Sequence, residues 1–122
     1  MMIKNISAKS IIAQNAVGCR TIFSKFLGLM FSKNEKKTLI FFFGNKRKIS
    51  LHMLFVFYPI DVIFLDGKKK VVDLKENFRP WTFYKSKRPA KYVIECPKGT
   101  IKKTRTKIKD WLNFYPIFDI GL

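Results

Sequence analysis

The sequence predicts a mainly β (α+β) fold, a compact antiparallel barrel or sandwich-like single domain with two short helices. Three observations predict it. Chain breakers recur at short intervals: Phe43-Gly44-Asn45, Asp66-Gly67, Arg79-Pro80, Arg88-Pro89 and Cys96-Pro97-Lys98-Gly99 cut the chain into runs of strand length. Tyr92, Ile94 and Cys96 alternate with Lys91, Val93 and Glu95, the period of a half-buried strand. The 122 residues are 48% hydrophobic and include 13 Phe, enough to fill one core and too apolar for a disordered chain. The expected unit is residues 1–122 as one domain, with no separate linker or tail.

Element by element, Ile3–Ile6 and Ser10–Ala16 are short strand candidates. Thr21–Met30 reads as a helix, because Ile22, Phe26 and Leu29 share a face and Gly28 lies where the helix would stop. Thr38–Phe43 and Ile49–Phe57 bracket Gly44–Lys48 and read as one hairpin. Proline cannot sit in a paired central strand, so Tyr58-Pro59 marks a corner. Ile60–Leu65 and Lys70–Lys75 bracket Asp66-Gly67, whose glycine suits a primed turn with positive φ. Trp81 and Phe83 alternate with Thr82 and Tyr84, as a strand with one buried face would require. Thr100–Lys109 reads as the second helix, capped by Thr100.

The formal charge is +17, from 25 Lys and Arg against 8 Asp and Glu. It is spread over the domain rather than held in a tail: residues 1–40 carry 7 basic and 1 acidic, 41–80 carry 8 and 4, and 81–122 carry 10 and 3. An anionic partner is the direct reading, either nucleic acid or another polyanion. A chain rich in Lys, Ile, Phe and Asn with a single Gln (Gln14) is also what an AT-rich genome writes onto tolerant surface positions. No run reaches the ~20 apolar residues of a membrane helix, and Lys4 and Lys9 flank no apolar leader core. Cys19 and Cys96 are too few for a disulfide framework, and Cys96 fits a buried thiol at a strand end. The expected compartment is the cytoplasm.

Several blocks resemble a known family. Lys25-Phe26-Leu27-Gly28-Leu29-Met30-Phe31 is followed by Leu51-His52-Met53-Leu54-Phe55-Val56-Phe57-Tyr58-Pro59-Ile60-Asp61-Val62-Ile63-Phe64-Leu65-Asp66. Val71-Val72, Arg79-Pro80 and Ala90–Thr100 continue in order. Together, from about Ile3 to Phe114, they resemble domain-of-unknown-function family 192, also called uncharacterised protein family 0127. The Leu-His-Met form is similar to its archaeal branch. Where bacterial relatives carry Met-Lys-Asn, Met53 is followed here by Leu54 and Phe55, so any site lined by that polar pair is missing. The resemblance implies a compact, mainly antiparallel β fold and no activity or cofactor.

The candidate chemistry is sparse. A lone histidine usually satisfies a hydrogen bond in or near a core, and His52 needs an orienting carboxylate before it can act as a general base. Asp61 is the one at hand, on a face shared with Ile63 and Leu65, where a carboxylate must be paired, protonated, at the rim or capping backbone N–H groups. Arg79 completes the weak catalytic set. Asp73 and Glu76, among Lys75 and Arg79, read as a solvated face. Metal binding needs three or four ligands together, and Cys19, His52 and Cys96 supply them only by a coincidence of folding, so no metal site is expected. The anion-binding candidates are Lys46, Arg47, Lys48, Trp81, Lys85, Lys87, Arg88, Lys102, Lys103 and Arg105, with aromatics beside the Lys85–Lys91 cluster as single-strand binders require. Each Lys cluster taken alone is equally a solvated face.

Two function classes follow. The first is a non-enzymatic module binding RNA or another polyanion; the second is a small-molecule-binding or catalytic barrel with His52, Asp61 and Arg79 at its mouth. A membrane-surface role ranks third, since no helix pairs a broad apolar face with a Lys face. The reading leans to the first class and away from an enzyme.

Overall fold

A computed structural model describes residues 1–19, 37–47, 50–52 and 58–116. Their centre is a five-stranded sheet in the order β3-β4-β9-β6-β7, formed by β3 (Val17–Cys19), β4 (Leu39–Arg47), β9 (Ala90–Pro97), β6 (Ile60–Leu65) and β7 (Val71–Phe78). β1 (Met2–Asn5), β2 (Ser10–Ala13) and β10 (Leu112–Tyr115) form a three-stranded sheet in the order β10-β1-β2. β5 (Ser50–His52) and β8 (Phe83–Lys85) form a ribbon, and the helix α1 spans Thr100–Thr104. All described pairings are antiparallel except β3 with β4. The central sheet keeps two edges, at β3 and β7, so the arrangement is layered rather than a closed barrel.

Strand β6 explains the layering. Its run Ile-Asp-Val-Ile-Phe-Leu is buried at every position, as befits a strand with neighbours on both edges and cover on both faces. Alternation then sorts its side chains. Ile60, Val62 and Phe64 join Leu39, Phe41, Phe78, Ala90 and Val93 on one face. Ile63 and Leu65 join Ile3, Ile12, Ile40, Val71, Ile94, Cys96, Ile101 and Leu112 on the other. The second face is covered by the three-stranded sheet and α1, and Tyr84 from the ribbon packs against the first.

The β6–β7 hairpin forms as expected, with Leu65 opposite Val71. Its turn is built differently. Gly67 does not take the positive φ; Lys69 does, at 66°, and the Lys69 N–H donates to the Asp66 carbonyl at 3.0 Å. Asp66 Oδ1 accepts the N–H groups of Lys68 and Lys70, so the aspartate side chain supplies the turn.

The hairpin expected of Thr38–Phe43 and Ile49–Phe57 is corrected. β4 continues through Gly44 to Arg47, Leu39–Phe41 have β3 on one edge and β9 on the other, and among the described residues of the expected second strand Ser50–His52 pairs with β8. Gly44 and Asn45 mark a bulge: Phe42 faces Tyr92 and Arg47 faces Ala90, so four residues of β4 oppose Lys91 alone. Leu39, Ile40 and Phe41 are all buried, which marks a central strand. The expected helix over Thr21–Met30 lies outside the described residues, as does the segment 53–57.

The second helix is shorter than Thr100–Lys109. It ends at Thr104, because Arg105 turns left-handed (φ 57°) and donates its N–H to the Lys102 carbonyl. Gly99 (φ 90°), not Thr100, precedes the first turn; the Thr100 hydroxyl donates to the Pro97 carbonyl instead. Beyond the helix the chain serves a polar network. Asn5 Nδ2 donates to Thr106 Oγ1 and Asp110 Oδ2, at 3.1 and 2.9 Å. Asn5 Oδ1 accepts the Ala8 N–H. A continued helix would pull Thr106 and Asp110 away from Asn5, which is 1% exposed.

Lys109 holds φ at 78° while its N–H donates to Val71 O at 2.8 Å. A left-handed conformation strains a residue with a Cβ. Lys109→Gly relieves that strain and is expected to add roughly 0.5–1 kcal/mol of stability after the loss of unfolded-state restriction. Urea unfolding measures it; an unchanged or lower midpoint is the contrary result.

Candidate functional site

Asp61 projects from β6 toward the face that carries Ile63 and is 1% exposed. Its Oδ1 accepts the Asn77 N–H at 3.0 Å, and its Oδ2 accepts the N–H groups of Gly99 (3.1 Å) and Ile101 (3.0 Å). Each donor is one that regular pairing leaves over. Between Ile60↔Phe78 and Val62↔Lys75 the β7 strand carries an extra residue, and Asn77 (φ 49°) sits in that bulge. Gly99 and Ile101 lie at the start of α1, where N–H groups lack helical partners. A carboxylate among apolar residues is thus answered by three main-chain donors, the capping solution, although it closes the β7 bulge and the α1 start rather than the Pro59 corner.

Arg79 is exposed in the turn after β7, where its carbonyl accepts the Thr82 hydroxyl at 2.6 Å. It is not among the donors to Asp61. The backbone of His52 lies opposite Phe83 in the β5–β8 ribbon. Cys96 is buried at the end of β9, as expected, and its thiol contacts the Asp61 carbonyl at 3.4 Å. Burial first, and the nearby Asp61 charge second, push that thiol far above the ordinary range, which keeps it from acting as a nucleophile.

Asp73 corrects the solvated-face reading, being 2% exposed, whereas Glu76 is exposed. It shares with Val71 the buried alternation of β7. Asp73 Oδ2 accepts the Tyr84 hydroxyl at 2.7 Å and the Lys87 N–H at 2.9 Å, and Oδ1 accepts the Leu74 N–H. This pins the segment after β8 to β7. The Tyr84 ring packs on Phe64 and Phe78, and Lys75 Nζ lies 5.4 Å from its centroid. Burial and then the bond to Asp73 push the Tyr84 phenol up to about 12.

Tethering Tyr84 inward turns its neighbours outward. Trp81 is 56% exposed and Phe83 61%, and Lys85, Lys87 and Arg88 are exposed beside them. Trp81 also holds a positive φ of 65°, a conformation that glycine adopts freely and a bulky side chain does not. The bulge register places the backbone of Arg47 opposite Ala90, at the same end of the sheet as Arg88. Lys48 lies outside the described residues. Lys102, Lys103 and Arg105 are exposed on and just after α1, beyond the other end of β9. Tyr84 of the ribbon packs on the sheet face of Phe64 and Phe78, whereas Ile101 of α1 packs on the face of Ile63 and Leu65. The aromatic–basic strip and the α1 lysines are therefore two surfaces. Among the described residues, no helix is long and apolar enough to cross a membrane.

Comparison with known proteins bears on the fold. The profile of the DUF192 family, Uncharacterized ACR, matches residues 5–114. A UPF0127 protein of Thermococcus sibiricus is 43% identical over 77% of this chain; the match spans 62% of that protein's length. A UPF0127 protein of Pyrococcus furiosus is 46% identical over 74% of this chain and 78% of its own. Among solved structures, a proposed transcription regulator from Sinorhizobium meliloti superposes with a TM-score of 0.80 at 22% identity, covering 92% of this chain and 89% of that one. A protein of unknown function from Novosphingobium aromaticivorans gives 0.79 at 20% identity, covering 93% and 82%. Both structures speak to the fold alone.

Two outcomes test the buried carboxylates. Asp61→Ala leaves three N–H groups without their acceptor and is expected to cost roughly 3–5 kcal/mol. Asp61→Asn keeps one acceptor oxygen and costs less; equal losses in denaturant unfolding would contradict this account. Tyr84 retains its proton in the folded state up to about pH 12, against 10.0 for the ordinary phenol. Its contribution to stability is therefore complete below pH 10 and lost as pH rises toward 12. Tyr84→Phe should be less stable than the parent at pH 8 by ~1 kcal/mol. That gap should narrow between pH 10 and 12, and a constant gap would refute the assignment.

Proposed function

The chain belongs to the DUF192 family of uncharacterised proteins, a membership that brings a fold without an activity, and from its surface we propose a non-enzymatic module that binds an anionic partner, RNA above all. The observation that carries this reading is the exposure of Trp81 and Phe83 (56% and 61%) on one strip with exposed Lys85, Lys87 and Arg88. Aromatic faces stack on bases of any sequence, and adjacent cations neutralise the phosphates between them.

The strip is anchored for this role. Tyr84, between the two exposed positions Phe83 and Lys85, is fastened to Asp73, and the Lys87 N–H is fastened to the same oxygen. The aromatics therefore project from a rigid ribbon and lose little freedom on binding. Lys46 and Arg47 extend the basic end by register. Lys102, Lys103 and Arg105 attract the same polyanion at long range without forming part of the strip.

Fluorescence anisotropy with a labelled oligouridine tests the proposal. Binding is expected at ~50 mM salt, weakening with added salt in proportion to the phosphates contacted. Trp81→Ala and Phe83→Ala should each weaken it by about 5- to 100-fold, the worth of one stacked base. Lys102→Ala with Lys103→Ala should change it far less. No binding at ~50 mM salt, or equal loss from both sets, overturns the reading.

A further inference from the structure

A concave surface lies where the chain leaves β9. It is an open groove of about 790 Å³ between Ile11–Asn15 on one side and Pro97–Thr104 on the other, with Thr38 also lining it. The volume is that of a small-molecule site. Its position follows from the fold: α1 is strapped to β2 by the Ser10 hydroxyl, which donates to the Thr104 carbonyl at 2.8 Å, and the gap opens beside that strap.

The groove has a polar floor and a cationic rim. Thr38 is 5% exposed, and no hydrogen bond among the described residues occupies its hydroxyl. The hydroxyl is not sealed from solvent, so on the groove wall it stays open to a ligand or water. Lys98 and Lys103 lie on the rim, exposed, and neither has a carboxylate partner among the described residues. Gln14 and Asn15 add two exposed amides opposite them. The main-chain N–H groups of Gly99 and Ile101 are held by Asp61 and are not offered to the groove. Recognition must come from side chains, and two ammonium groups outweigh the one carboxylate behind the wall.

We infer that this groove binds a small organic oxyanion, with Lys98 and Lys103 on the charged group, Thr38 donating from the floor, and Gln14 and Asn15 reading the polar body. The inference is independent of the RNA strip, whose Tyr84 packs on the sheet face of Phe64 and Phe78, whereas β2 and α1 cover the face of Ile63 and Leu65. A phosphate monoester and a polycarboxylate share the required chemistry.

NMR titration of the isotope-labelled full chain separates the two sources, with ribose 5-phosphate and citrate as probes. One or both should give saturable shifts at the amides of Gln14, Asn15, Thr38, Lys98 and Gly99, and the tighter probe identifies the headgroup. Lys98→Ala combined with Lys103→Ala should weaken binding by about tenfold or more, and Thr38→Val by several-fold. Because Thr38 is buried, its variant is scored only with an unchanged thermal midpoint; the lysine pair, on the surface, carries the test otherwise. Absence of saturable shifts up to about 10 mM of both probes, or shifts that persist in the double lysine variant, overturns the inference.

Discussion

Three main-chain N–H groups from two distant parts of the chain converge on the Asp61 carboxylate. The strand that carries it is the most buried in the molecule and cannot take its position unless that charge is answered. The answer sets where β7 bulges and where the chain leaves β9 to begin α1. Both consequences shape the candidate surfaces. The bulge precedes the turn that displays Trp81, and the Gly99–Thr100 bend forms one wall of the groove. Asp73 does the same work one strand over, holding Tyr84 and the Lys87 backbone. Asp61 and Asp73, two of the buried carboxylates that interrupt apolar strands, are structural anchors from which both candidate surfaces are hung.

Much of the fold is legible in the sequence, and the boundary of legibility has physical causes. The β6–β7 hairpin can be read because its two apolar runs flank one obvious turn; β9 can be read as a strand, but not as the half-buried one its alternation suggests, since Val93 and Glu95 are buried along with Ile94 and Cys96 between β4 and β6. Cys96 is foreseeable as a buried thiol from its place in that alternation. The partner of β4 is not foreseeable, since Gly44-Asn45 looks the same whether it makes a hairpin turn or a four-against-one bulge. The length of α1 is hidden for a related reason. Lys103-Thr104-Arg105-Thr106-Lys107 contains no glycine or proline to stop a helix, and Asn5, about a hundred residues away in sequence, draws Thr106 and Asp110 out of it. Asp73 misleads because its neighbours are charged; the alternation from Val71 is the signal that places it inside.

The candidate surfaces divide in the same way. Trp81 and the Lys85–Arg88 cluster can be named from their adjacency, but whether the aromatics face inward or outward depends on Tyr84 and a hydrogen bond to another strand. Thr38 carries no sequence signal at all, being one threonine at the foot of an apolar run. The +17 charge, which in the sequence is a total, becomes in the fold groups with different neighbours on the two faces of the central sheet: exposed aromatic rings beside the ribbon and an amide-lined groove beside α1.

The first and last described strands are neighbours: Met2 stands opposite Tyr115. Bringing them together closes a loop of more than a hundred residues, whereas the β6–β7 turn closes only the few between Leu65 and Val71. The chain-entropy difference is about 2.5–3 kcal/mol. The three-stranded sheet therefore has little to gain by forming before the central hairpins have drawn its ends together. It is a latch set after the core condenses, and the groove beside β2 exists only once that latch is shut.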